Sequence, residues 1–187
     1  MNPNLAKHTP SKKILGGRIR SLGLLSLGLV LSGLILLTIL SSWPFIVNAS
    51  LPADNDAELH IYRIAEMGYS LNAGILYPRW APDFYHGYGY PIFNYYAPLT
   101  YHLGHWLSLG RPQMAVETAK VLFIGTHMLG ILGAYQLGKT FGGRGGGLLG
   151  ATAFAFSPYV QFINPHVRGG LAEVVALGIL PWVLWSW

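Results

Sequence analysis

The apolar and polar positions divide this chain into long uncharged runs and one polar stretch set between them. From Ser21 to Ala53 no residue is charged. Leu22 to Val47 alone exceeds the about 20 residues that cross a hydrocarbon core of ~30 Å. A cleaved signal peptide would have an apolar core of only about 7–15 residues. The run therefore predicts a retained signal-anchor helix, with Trp43 and Pro44 at its outer end, where aromatic rings favour the interface. Val121–Gly138 is a second uncharged run, predicting a span that begins near Ala115. Gly145 to Val167 predicts a third span and Leu171 onward a fourth. Val174–Trp187 has 14 residues, short of a full crossing, and suggests a fragment of a longer polytopic protein.

The polar stretch, residues 48–112, is expected to form a large loop with surface helices. Asp56 to Ala73 has helical character, with Asn55 and Glu58 spaced as a capping pair. Ile61, Ile64, Ala65 and Gly68 make one weakly apolar stripe. Asp56, His60, Arg63 and Met67 make another line at helical spacing. Pro78, Pro82, Gly87, Gly89 and Pro91 interrupt the segment after this helix with turns. Tyr95 to Leu109 predicts a second, more apolar surface helix.

Composition supports lipid as the main solvent. The chain has 187 residues, 52% hydrophobic and 10% charged, against about 25% charged in a soluble domain. Cysteine is absent, which removes disulfides, zinc-thiolate sites and redox dithiols. The net charge of +5 is unevenly placed. Lys7, Lys12, Lys13, Arg18 and Arg20 all precede the first apolar run, so residues 1–20 read as a disordered, basic cytoplasmic tail. A nucleic-acid-binding arm is the rival, but no stacking platform or reading motif accompanies it. Lys139 and Arg144 mark a second cytoplasmic turn. The expected topology is an all-α, multi-pass bundle of about four spans in the cell membrane, with loop 48–112 and Arg168 outside.

Four motifs carry candidate chemistry. Gly133-Ala134-Tyr135-Gln136-Leu137-Gly138-Lys139-Thr140 matches the phosphate-loop pattern letter for letter. That chemistry needs a strand, a loop of free amides and a helix; here the motif ends an apolar helix, and no nucleotide is expected. Gly146 and Gly150 show a small-xxx-small spacing that suits close helix packing. Asp56-Ala57-Glu58-Leu59-His60 places an aspartate and a histidine one turn apart. Such a pair holds a metal ion, or divides base and anion-binding roles, or merely caps a surface helix. No two histidines form H-E-x-x-H, which argues against a catalytic zinc. Arg168 and Glu173 stand at the outer mouth of the third and fourth spans. They pair with each other, or they face the same cavity as Asp56. Seven tyrosines of the loop, from Tyr77 to Tyr101, suit the bilayer interface and also the faces of sugar rings.

D-x-x-x-H in the first outer loop, then L-Y-P-R-W, G-Y-G-Y-P-x-F-N-Y-Y-A-P-L and R-G-x-L-A-E together resemble a family of large bacterial membrane proteins. Its domain label is "6-pyruvoyl-tetrahydropterin synthase-related", and its members look like relatives of the GT-C glycosyltransferases. The resemblance covers roughly Asp54 to Trp187, so that residues 21–187 would be the N-terminal part of a GT-C-like domain. The pterin label is not literal: the chain offers no histidine-bound zinc on an α/β fold, and no pterin is expected. The resemblance implies inverting transfer of a sugar from a polyprenyl-phosphate donor to an acceptor outside the membrane. Asp56 would be the catalytic aspartate, as base or metal-positioning ligand, with Asp54 a weaker substitute. His60 would hold the donor phosphate or a divalent cation. Arg63, Arg79 and Arg168 would clamp phosphate through bidentate guanidinium contacts, and Glu173 would orient Arg168. Family members are several times longer, so by this resemblance further helices walling the site would lie outside this sequence. The competing expectation is a non-enzymatic transporter or assembly scaffold whose loop binds a lipid or partner, or an inactive fragment.

Overall fold

The computed structural model describes residues 12–52 and 55–187, so residues 1–11 of the expected tail and Asp54 lie outside the described residues. Among the described residues the fold is all-α, without a β-strand. Helix α1 spans Lys12–Ser41 and α2 Trp43–Val47. Helix α3 spans Ala57–Asn72, α4 Leu99–Leu107, α5 Ala115–Ala155 and α6 Leu171–Trp185. Short 3₁₀ turns, Ile92–Asn94 and Pro112–Met114, and a π-helical stretch, Tyr159–Arg168, join them. The first helix starts at Lys12, inside the stretch expected to be a disordered tail.

Among the described residues two segments are long and apolar enough to cross a membrane: Leu24–Ser41, and the 57 residues Pro112–Arg168. The second reverses direction. Gly142 and Gly143 leave helical geometry, and Gly143 has φ 57° with ψ −149°, a conformation open to glycine but not to a side chain. Two antiparallel arms result, touching through small residues. The Gly150 Cα faces the Ala134 carbonyl, and Gly146 faces Gly138. The first arm therefore ends beside Lys139 and Arg144, where the charges place a turn. The second arm stops at Ala155, and Ser157-Pro158 then leads into the π-helical stretch. Pro165 lies inside that stretch and has no N–H to donate, which accompanies its wide turns. Helix α6 has 15 residues, about 22 Å at 1.5 Å per residue, and is shorter than a bilayer core.

Polar side chains fix the long helices to one another. His127 Nε2 and Ser41 Oγ lie 2.8 Å apart, joining α5 to α1. Trp182 Nε1 donates to the Leu129 carbonyl at 2.8 Å, joining α6 to α5. The phosphate-loop-like motif lies inside the first arm. Thr140 Oγ1 donates to the Gln136 carbonyl, while Gly133 packs against Trp182 and Pro181. Its glycines serve helix contact.

Residues 43–112 fold as a cap over the ends of α5 and α6. The cap shares a core of Phe45, Ile64, Met67, Phe93 and Tyr101 with Leu122, Phe123 and Leu171. A second, smaller core of Leu34, Ile131, Tyr135, Ala151 and Ala155 lies further along the helices. Helix α3 is capped by Asp56 rather than Asn55, without a side-chain cap bond, so the expected Asn55–Glu58 pairing does not form. Helix α4 is narrower than the Tyr95–Leu109 segment predicted. The 3₁₀ turn Ile92–Asn94 and Pro98 precede it, and positive φ at Leu109 and Gly110 ends it.

Candidate functional site

Helix α3 presents the predicted residues in sequence from its N-terminus. Asp56 caps it and is half-buried. The Asp56 N–H donates to the Arg168 carbonyl at 3.0 Å, and the Asn55 N–H donates to the Val167 carbonyl at 3.4 Å. The loop acid and the mouth of α6 are therefore adjacent, joined through backbone. The side chain of Arg168 is already occupied. Its Nη1 lies 2.8 Å from Glu173 Oε2 and donates to the Tyr159 hydroxyl, which itself donates to Glu173 Oε1. Glu173 thus orients Arg168, and Tyr159, which the sequence did not single out, closes the triad.

One turn along α3, His60 is fully buried. Its Nδ1 lies 3.0 Å from the Tyr101 hydroxyl, which also accepts from Arg63 Nη1 at 3.3 Å. Burial and the Arg63 cation push the His60 pKa down to about 4, although Asp56 opposes them. The ring is therefore neutral near pH 7. His60 Nδ1 and the Tyr101 hydroxyl share one hydrogen bond, which occupies only one of the two ring nitrogens. Nε2 is buried without a hydrogen-bond partner. His60 is thus a neutral core group against Tyr101, not a cation facing solvent. Among the described residues, which do not include Asp54, no three histidine or acidic side chains assemble as a metal-binding group.

Arg63 joins this core to an open cleft of about 1010 Å³ between α3 and residues 83–96. Its guanidinium lies over the Tyr96 ring, 4.2 Å from the centroid, a cation–π geometry. Glu66 lines the same cleft and is 4% exposed. It accepts the Asp83 N–H at 3.3 Å. Burial raises its pKa, the Asp83 amide opposes this, and the Asp83 carboxylate adds to the rise. Tyr85, Tyr90 and Tyr95 stack edge-on and tilted along the far wall. That wall is held by reciprocal backbone bonds between Ala81 and Tyr90 at 2.8 and 2.9 Å. The turn within it needs positive φ at Tyr85 and His86, a costly conformation for side-chain-bearing residues. Gly89, with φ 81°, has no room for a Cβ against the Trp80 indole.

The structure thus joins the Asp56 backbone to that of Arg168, pairs Arg168 with Glu173, and brings His60 together with Arg63 around Tyr101. It leaves Arg79 apart, exposed and 5.7 Å from the Tyr77 ring centroid. Sequence reasoning missed Glu66 and Asp83. The signal for Glu66 was a carboxylate flanked by Ile64, Ala65, Met67 and Gly68, where only a partnered or functional acid is tolerated. No protein-family model matches the chain, and no curated protein or solved structure matches it significantly.

Proposed function

We propose that the chain is a multi-pass protein of the cell membrane, N-terminus cytoplasmic, acting as a GT-C-like transferase on a polyprenyl-phosphate sugar. The crossings are α1 and the two arms of α5, with the π-helical stretch completing the second; α6, too short to cross alone, is the fourth membrane helix. Three features support the membrane reading. The Leu24–Ser41 part of α1 is apolar all round and leaves Leu24, Leu25, Leu29 and Leu36 exposed, as a helix solvated by lipid does. The reversal at Gly142–Gly143 carries two cations, and basic turns stay cytoplasmic. The acidic residues among those described lie at 56–117 and 173, on the side of the cap.

The transferase reading is carried by one juxtaposition. Asp56, Arg63 and Glu66 follow one another along α3, from the bundle mouth at Arg168 to a cleft walled by tyrosine rings. Tyrosine faces suit the apolar faces of sugars, and carboxylate and guanidinium groups suit hydroxyl and phosphate. Asp56, half-buried at the N-terminus of α3, is the candidate base for a hydroxyl proton. In the full-length protein Asp56→Asn is expected to abolish transfer of labelled sugar from a polyprenyl-phosphate donor, with membrane insertion unchanged. Asp54→Asn should be milder. A second reading, a non-catalytic scaffold whose cleft binds a lipid or partner, is favoured by the closed Arg168–Glu173–Tyr159 triad. Normal transfer by Asp56→Asn, Asp54→Asn and their double variant would select it.

A further inference from the structure

At the end of the bundle away from the cap, α1, the first arm of α5 and α6 leave a second cleft of about 200 Å³. Leu27, Leu31, Leu132 and Trp182 form its apolar wall, and Lys139 and Arg144 stand at its rim. The two cations flank the reversal at Gly142–Gly143, so the turn itself brings them to one mouth. Both are exposed. Among the described residues no acidic side chain lies at this end. Every acidic residue of the chain falls at 54–117 or at 173. Glu117 is 22 residues from Lys139 on the same helix, about 33 Å at 1.5 Å per residue, and Glu173 is in the first turn of α6, whose other end reaches the cleft.

We propose that this cleft binds one anionic phospholipid. Its phosphodiester would sit between Arg144 and Lys139, and an acyl chain would lie along the leucine and tryptophan wall. Guanidinium offers phosphate two parallel donors, and Gln136 at the same rim adds an amide. A zwitterionic lipid carries its own counter-charge into the mouth. A free phosphate ion leaves the apolar wall uncovered. Basic pockets between membrane helices on the cytoplasmic side bind anionic head groups on these grounds. The proposal rests on the membrane-spanning reading above and is independent of the transferase reading.

The test is native mass spectrometry of the full chain, extracted from vesicles of equal phosphatidylglycerol and phosphatidylcholine. Wild type should retain phosphatidylglycerol over phosphatidylcholine by roughly tenfold or more, the scale expected for two cations near an anionic lipid. Lys139→Gln with Arg144→Gln should lose that preference, and Lys139→Arg with Arg144→Lys should keep it. Equal retention of the two lipids by wild type, an undiminished preference in the glutamine variant, or displacement by millimolar inorganic phosphate would overturn the site. An alkaline carbonate wash of the vesicles separates the two failures. Release of wild type into the supernatant would refute membrane spanning itself. Retention without a lipid preference would refute only the lipid site.

Discussion

The cap and the far end of the helices are stabilised by different physics. In the cap, side chains distant in sequence meet through polar bonds: His60 with Tyr101, Arg63 with Tyr96 and Tyr101, Glu66 with the Asp83 amide. Large aromatic and aliphatic groups fill its core. At the far end the buried set is small, with Ala151, Ala155, Ile131, Leu34 and Tyr135, and the helices meet through backbone at Gly138, Gly146 and Gly150. Leucines that would be buried in water stay on the outside. On the membrane-spanning reading proposed above, one half would be organised for water on its surface and the other for lipid, where close van der Waals approach replaces hydrophobic burial.

The sharpest way to break the far end is to put a side chain where two backbones touch. A Cβ at Gly150 would lie 2.7 Å from the Ala134 carbonyl oxygen, while a Cβ at Gly125 on the same helix meets nothing within 4 Å. Gly150→Leu is expected to cost more than the usual overpacking of roughly 1–3 kcal/mol, because backbone must move. Gly125→Leu should be neutral. Thermal melting of the detergent-solubilised protein, with its size-exclusion profile, compares them. Matching curves would remove close helix approach as the basis of that end.

The cap should answer to pH instead. The His60 pKa falls from 6.5 to about 4 on folding. Between those values the unfolded chain takes up a proton that the folded chain refuses. Stability is therefore full above pH 6.5 and declines as pH falls toward 4, by about 3 kcal/mol in all. Glu66 has the opposite sign, since its raised carboxyl gains stability as the pH falls through the carboxylate range. It is common to wild type and His60→Gln, so the difference between their pH profiles isolates His60. Melting temperatures from pH 7 to pH 4 should show a steeper decline for wild type. Parallel profiles would place His60 in contact with solvent.

Legibility in the sequence divides along the same line. At the far end the relevant signals are local. Lys139 and Arg144 mark the turn, and the small residues at 146 and 150 mark the contact. In the cap, α3 is legible from its own periodicity, yet the meaning of its residues is not. His60 and its partner Tyr101 are 41 residues apart, so nothing near His60 distinguishes a buried neutral ring from an exposed cationic one. Glu66 stands out by its apolar neighbours, but its partner does not until residues 81–90 fold over it and Asp83 supplies an amide. Arg168 and Glu173, five residues apart, could be paired from sequence. Tyr159, nine residues before Arg168, is brought in by the π-helical turns, which no local pattern announces.

The smallest effect on stability is expected where the two regions join. Arg168 and Glu173 are 46% and 39% exposed, and exposed ion pairs add little because water screens them and ordering two long side chains opposes them. The backbone link from Asp56 to the Arg168 carbonyl does not depend on the guanidinium. Arg168→Gln should therefore leave the melting temperature within measurement error and α3 in place. Its effect on function should be far larger. If the guanidinium meets the donor phosphate, its loss removes a bidentate, charge-assisted contact, and transfer in the labelled-sugar assay should fall about tenfold or more. Arg168→Lys keeps the charge but not the planar fork and should recover only part of it. A variant with unchanged melting and reduced transfer would make the joint a working surface. Unchanged melting with unchanged transfer would leave the triad as a surface pair, and the chemistry would have to lie within the cleft at Arg63 and Glu66.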